Sequence, residues 1–502
     1  MNITFFSKFW SFFLDNINLK QTILKNTFWL VMAEIIIRIL KLVVVIYVAR
    51  ILGATEYGKF TFALSFAMLF VALSDLGLSP ITVREFSGSQ DKENEFLSLI
   101  SLKVLLGLAT ATLISSLSFF ITADPATRIA ILILSVYVAI SGFSEILYAF
   151  FRARQQMQYE SIAKIFQAIA ISVLGFVVIF KVPSIQNLSY SYSLASLCAL
   201  LLIMFFFFLL NRRIFPLKIS FKLAIWKKYL KMSWPLALAG VFTAIYYNLN
   251  STIMGYLGQI TQTGWYNAAH KIIIATFIPA DLLSIIFFPV LSVAFKESKE
   301  KFQKIWNYFN FSMIFLAIPI MAGGIALAPK IINIVFGENY VSAILAFQIL
   351  IVTTVIYLMS APLVKTLLVI HRQKNILWAY FAGAVTNVLL NFILIPKYSL
   401  YGASFSTVTT FFVIFVSLLI MAIKFSPLRL FDFEMLMNSV CVVMAGVIMY
   451  FVISNDIIYN LNLIAVIAIG ALVYIISLTI FYLCKYRIFK NIGRSGNFST
   501  FI

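Results

Sequence analysis

Thr27–Val48 reads TFWLVMAEIIIRILKLVVVIYV, a run long and apolar enough to cross a bilayer core of about 30 Å. It also carries Glu34, Arg38 and Lys41. At 100° per residue these three fall within about 60° of arc on one helix face. A charge near the bilayer centre costs at least ~2.5 kcal/mol, so three on one stripe need a polar partner, a water-filled cavity, or both. One reading is a self-satisfied i,i+4 pair, Glu34 with Arg38, packed between helices. The other is a helix lining a hydrophilic pathway, its net positive charge facing the passenger. The surplus of cations over acids favours the pathway.

The rest of the chain is of the same kind. Of 502 residues, 62% are hydrophobic and only 11% charged, with a mean hydropathy of +1.00. Soluble domains carry about 25% charged residues. Apolar runs of about 20 residues recur from end to end with no long soluble stretch between them, which defines an all-α polytopic membrane protein of about 14 transmembrane helices. A β-barrel is excluded, because its strands alternate and Leu200–Leu210 does not. The aromatic runs, within a total of 51 Phe, read as lipid-facing bulk. Cys198, Cys441 and Cys484 stand alone in apolar runs, and His270 and His371 are the only histidines. Neither a disulfide framework nor a metal site is expected, and no cofactor.

The net charge of +20 is topological rather than a sign of nucleic acid. With spans numbered in order, the large majority of the 38 Lys and Arg fall on the N-terminus, the even-numbered loops and the C-terminal tail. The positive-inside rule then puts both termini in the cytoplasm of a plasma-membrane protein. The division expected is an interfacial amphipathic segment over 1–25, spans one to six over 26–211, a basic linker over 212–231, spans seven to twelve over 232–424, two further spans over 425–484, and a tail over 485–502. The two six-span portions echo each other. LGATEYG follows span one and LGQITQTG follows span seven, and the interval from Gly58 to Asp75 equals that from Gly264 to Asp281. This reads as a parallel six-helix repeat, with the last two spans outside it.

Motifs divide into chance matches and candidates. Gly53–Lys59 (GATEYGK) fits the opening of a phosphate-binding loop, but Phe60 stands where Ser or Thr is needed and no strand precedes it. It is a false positive, and no other ATPase motif accompanies it. Span eight, about 266–294, holds His270 and Lys271, then Pro279, then Asp281. An interrupted helix with ionisable groups at membrane depth marks a transport site; the plainer alternative is a snorkelling Lys271 and a packed His270. Asn250 in span seven is open in the same way. Asp75, Arg84 and Glu85, with Lys103, Glu145 and Lys164 near the same face, suggest a cytoplasmic gate of salt bridges between the halves. No catalytic constellation stands in a loop, so a transporter is expected and not an enzyme.

The sequence resembles the Wzx-type polysaccharide-repeat flippases, of the superfamily shared with lipid II flippases and MATE multidrug exporters. The resemblance rests on NTFWLVMAEIIIRILKLVVVIYVARILGATEYGKFTFALSFAMLFVALSDLGL and REFS, on FRARQQMQYES, on SWPLALAGVFTAIYYNLNSTIMGYL and GWYNAAHKI, on IIFFPVLSVAF and FGENYVSAILAFQIL, and on NVLLNFILIPKYSLYGASFST. It covers roughly residues 20 to 425. It implies two six-helix bundles facing each other across a central cavity, lined by spans one, two, seven and eight, with the extra C-terminal helices outside. It further implies a basic cavity that receives the diphosphate-sugar head of a polyprenol-linked oligosaccharide while the lipid tail stays in the bilayer.

Arg38, Lys41 and Lys271 are the cations that match, with His270 and Asn250 beside them, because guanidinium and ammonium donors suit phosphate oxygens. Glu34, Asp75, Arg84 and Asp281 would couple or gate. Asn250 stands where many relatives have Asp, and Ser399 replaces the glycine of a PxYG turn. The implied partners are the lipid-linked glycan, the bilayer, and a polymerase with other assembly proteins. The alternatives are a MATE-like cation-coupled multidrug antiporter, for which surplus cations are unsuitable, and a membrane-embedded glycan-processing enzyme, for which a catalytic acid cluster is missing.

Overall fold

The computed structural model describes residues 16, 18–88, 93–210, 221–429 and 433–494, and every regular element among them is helical. Helix α1 is Leu19–Leu69, α2 Val71–Asp75, α3 Leu78–Phe86, α4 Glu93–Ile121, α5 Pro125–Ala153, α6 Met157–Lys181, α7 Ile185–Leu210 and α8 Leu223–Tyr256. Then follow α9 Ile260–Ala275, α10 Ile278–Glu297, α11 Lys299–Phe336, α12 Ala343–Leu350, α13 Val352–Val369, α14 Gln373–Phe425, α15 Phe433–Ile453, α16 Asp456–Tyr459 and α17 Leu463–Arg494. The segment expected over 1–25 lies largely outside the described residues, and the linker over 212–231 and the tail over 485–502 partly so; from Leu223 the expected linker is the first part of α8.

Among the described residues, 10 helices are long and apolar enough to cross a membrane. Helix α1 falls outside that group, since Glu34, Arg38 and Lys41 interrupt its apolar run. It is bent at Gly53, whose φ of 74° suits a residue without Cβ. Helix α14 is bent at Ser399, with φ 51° and ψ −126°, and expected spans fall on either side of each bend. Phe120 and Ile464 are both 82% exposed. Surface of that kind belongs in hydrocarbon, where helices satisfy their own backbone groups.

The chain divides into two compact units, one running to Ala275 and including Leu377–Thr410, the other comprising Thr276–Ile376 and the chain from Phe411. In the first, α4, α5, α7 and α8 meet in an aromatic core. Phe96 lies 4.7 Å from Phe150 and Phe150 lies 4.9 Å from Phe207, ring centre to ring centre. This corrects the reading of the Phe runs as lipid-facing bulk. Phe205 is 57% exposed and Phe207 is 1% exposed, because neighbouring positions on a helix point to different faces and only one faces lipid.

The two glycine-bounded echoes meet in this unit. A Cβ on Gly58 would lie 2.0 Å from the Ile260 carbonyl oxygen, and one on Gly264 would lie 2.0 Å from that of Ala54. The Thr55 and Thr261 hydroxyls are 2.8 Å apart. Helices α1 and α9 therefore cross backbone to backbone, with equivalent residues exchanging equivalent contacts. Small residues allow such an approach.

In the second unit, α15 and α17 pack on α11 through Ile314, Leu327, Val442, Ala445, Met449 and Tyr474. The Tyr474 hydroxyl donates to the Phe315 carbonyl at 2.9 Å. Span eight is interrupted where the sequence suggests. Helix α9 ends at Ala275 and α10 begins at Ile278, with Pro279 in its first turn, where a missing N–H is harmless.

Candidate functional site

The charged stripe of α1 is both paired and in contact with open space. Arg38 Nε donates to Glu34 Oε1 at 2.5 Å. Their side chains retain 25% and 46% exposure, so the pair is not sealed between helices. Arg38 and Lys41 line two adjoining cavities within the first unit.

The first cavity, about 310 Å³, brings Arg38 and Lys41 of α1 together with Lys271 of α9. Tyr57, Thr61, Ser65 and Asn248 are among its uncharged polar lining residues. Its described lining includes three cations and no carboxylate. Phosphate oxygens suit such a set, and an organic cation would be repelled by it.

The second cavity, about 410 Å³, shares Arg38, Lys41, Tyr137 and Ile274 with the first and adds Glu34, Glu145, Lys164, Gln167, Ser141 and Ser144. Helix α5 presents Ser141, Ser144, Glu145 and Tyr148, and α6 presents Lys164 and Gln167. These are i, i+3 and i+4 positions, so each helix turns one polar face inward. Lys164 holds Glu145 at 3.2 Å and Glu160 at 2.9 Å. Arg152 holds the same two acids at 3.3 and 2.5 Å. Glu160 is 2% exposed, and two basic partners offset the cost of burying its charge.

The other candidate residues sit elsewhere. His270 is 5% exposed and stacks on Tyr266, with centroids 5.4 Å apart. It lies one position from Lys271, about 100° around the helix. Asn250 is 1% exposed. Its Nδ2 donates to Thr407 Oγ1, the Ala403 carbonyl and the Tyr266 hydroxyl at 2.7, 3.0 and 3.1 Å. Its Oδ1 accepts from Asn391 at 2.7 Å and Asn387 at 3.1 Å. Neither residue is among those that line the two cavities.

Asp75 pairs with Lys103 and accepts from the Ser79 hydroxyl. Arg84 pairs with Glu85 at 3.1 Å and is 63% exposed. The charged residues expected to form a gate between halves pair as Asp75–Lys103, Arg84–Glu85 and Glu145–Lys164, and all six lie inside the first unit. Asp281, in the second unit, accepts from the Tyr357 hydroxyl at 2.8 Å.

Sequence reasoning did not single out Tyr137, Ser141, Ser144, Tyr148 or Gln167 as site residues. Their helical spacing was visible, but Ser and Tyr at such spacing recur in ordinary packed helices. Ser399 takes a left-handed φ of 51°, which explains the glycine common at this turn. Its hydroxyl donates to Gln259 Oε1 at 2.9 Å.

Fold and cavities together define a multi-pass, all-helical membrane protein with charged residues turned toward internal space. The chain belongs to the polysaccharide biosynthesis protein family, whose profile matches residues 23–295. Among its relatives is the capsular polysaccharide biosynthesis protein CapF of Staphylococcus aureus, 21% identical over 78% of this chain and 97% of that one. An uncharacterized membrane protein of Methanocaldococcus jannaschii is 24% identical over 74% of this chain and 79% of its own. The fold is shared with the lipid II flippase MurJ in an inward closed conformation, with a TM-score of 0.73 at 17% identity over 91% of this chain and 98% of that one. It is shared also with a MATE family multidrug transporter in its inward-facing conformation, at TM-score 0.64 and 17% identity over 77% and 94% of the two chains.

Proposed function

We propose that this protein is a flippase that moves a polyprenyl-diphosphate-linked glycan unit from the cytoplasmic to the outer leaflet of the plasma membrane, for polysaccharide assembly. The observation that carries this reading is the first cavity, whose lining brings Lys41 and Lys271 together with Arg38 and includes no carboxylate, the Glu34 partner of Arg38 lying in the adjoining cavity. Membership of the polysaccharide biosynthesis family supplies the biological setting. A diphosphate carries its charge on oxygens that guanidinium and ammonium donors reach well, while the polyprenol remains in the hydrocarbon.

Arg38, Lys41 and Lys271 bind the head group in this reading. His270 and Asn250, packed as they are, hold the helices that carry it. Alternating access between two six-helix lobes moves the head across, with Glu34, Arg84 and Asp281 in coupling or gating roles and Asp75 holding Lys103. Both termini face the cytoplasm, and a polymerase receives the product.

The test is glycan display at the surface of a strain lacking the protein, complemented with wild type or with Arg38→Ala, Lys41→Ala or Lys271→Ala, with expression and folding measured in parallel. Lost display and accumulation of lipid-linked units inside, unrelieved by well-folded variants, is the expected result. Normal display combined with increased sensitivity to cationic dyes would replace the reading with an antiporter. Full complementation by all three variants would make the stripe structural.

A further inference from the structure

The second cavity differs from the first in charge and in chemistry. Two of its three cations are directly paired, Arg38 with Glu34 at 2.5 Å and Lys164 with Glu145 and Glu160 at 3.2 and 2.9 Å. The third, Lys41, is one of the two cations it shares with the first cavity, Arg38 being the other, and the carboxylate of Glu34 tempers it as well. Around them stand Gln167, Ser141, Ser144 and the rings of Tyr137 and Tyr148. Donors and acceptors are mixed, which suits a ligand whose every hydroxyl both donates and accepts. Lys164 caps the Tyr148 ring at 4.8 Å, and an aromatic edge of this kind suits the apolar C–H face of a pyranose. With Arg38 and Lys41 engaged by the diphosphate and Lys164 held by Glu145, a further acid here meets the carboxylates of Glu34 and Glu145.

The two cavities share a wall at Arg38, Lys41 and Tyr137. In a lipid-linked glycan, the diphosphate is bonded on one side to the polyprenol and on the other to the first sugar. A diphosphate held by the three cations therefore extends its sugar into adjoining space.

We propose that the second cavity is the subsite for the first sugar of the glycan, and that it selects a neutral or acetamido sugar over an acidic one. Gln167, Ser144 and Glu145 carry that selection. This rests on the reading of the first cavity as the diphosphate site.

Binding is measured on the full chain in nanodiscs with three probes: a polyprenyl diphosphate without sugar, the same lipid bearing one N-acetylhexosamine, and the same lipid bearing one hexuronic acid. The wild type binds the N-acetylhexosamine lipid most tightly, and the hexuronic acid lipid no better than the bare one. Gln167→Leu narrows the gap between the first two about five-fold, as for the loss of one or two hydrogen bonds, with affinity for the bare lipid unchanged. Glu145→Gln, which keeps shape and removes charge, raises affinity for the hexuronic acid lipid. Lys271→Ala weakens all three alike.

Equal binding of all probes by the wild type, or equal weakening of all by Gln167→Leu, overturns the sugar subsite while leaving the diphosphate site standing. Binding that Lys271→Ala does not alter removes the diphosphate site, and the subsite with it.

Discussion

Lys103 has no exposed side-chain surface. Its ammonium is held by the Asp75 carboxylate, by the Gly142 carbonyl at 2.9 Å and by the Ser74 carbonyl at 3.3 Å. It thus ties α4 to the α2 end and to α5. Removing one partner of a buried pair leaves the other charge uncompensated and costs about 3–5 kcal/mol. Asp75→Ala should therefore lower the thermal unfolding midpoint in detergent, and Lys103→Met in the same chain should recover part of the loss. A variant that unfolds like wild type yet fails to support glycan display would make Asp75 a moving part instead of a tie. The same view explains why charge alone was an incomplete guide to the site. Lys103 and Lys271 are both lysines in apolar helices, and only their neighbours on other helices separate a tie from a cavity cation.

At the scale of elements, the crossing of α1 and α9 stands on two glycines. At Gly264 the obstruction to a side chain is the Ala54 carbonyl, 2.0 Å from where a Cβ would stand. It is backbone, so no rotamer change relieves it. Gly264→Ala forces the helices apart and should cost about 1–3 kcal/mol, in line with other overpacked sites. Gly107→Ala is the control: the nearest atom to its Cβ is 3.4 Å away, and alanine improves helix propensity by about 1 kcal/mol. Equal unfolding midpoints for the two variants would show that the crossing yields easily. The repeat echo marked both glycines in the sequence, but a spacing along the chain does not say that its two copies touch.

At the scale of the whole molecule, the asymmetry of Lys and Arg predicts an orientation that labelling can check. In a chain with Cys198, Cys441 and Cys484 replaced by serine, Asn460→Cys should react with a membrane-impermeant maleimide applied to intact cells, and Glu300→Cys only after lysis. Both positions are exposed. The opposite pattern would invert the protein, and with it the direction of transport proposed.

What the sequence determined by itself was whatever sums locally. Hydropathy accumulates residue by residue along a span, so membrane insertion, the charged stripe at Glu34, Arg38 and Lys41, and the interruption ahead of Pro279 were legible from one strand of text. The pattern of small and apolar residues carried the family in the same way. Tertiary structure alone decided which polar groups meet. Glu145, Lys164 and Gln167 come from different helices and reach one cavity only when α5 and α6 pack side by side. Asn250 looks like a pathway residue in isolation, yet Asn387, Asn391 and Thr407 absorb its hydrogen bonds from more than 130 positions away in the chain. A polar side chain in a membrane helix must find a partner, and the chain order does not say which helix will bring it.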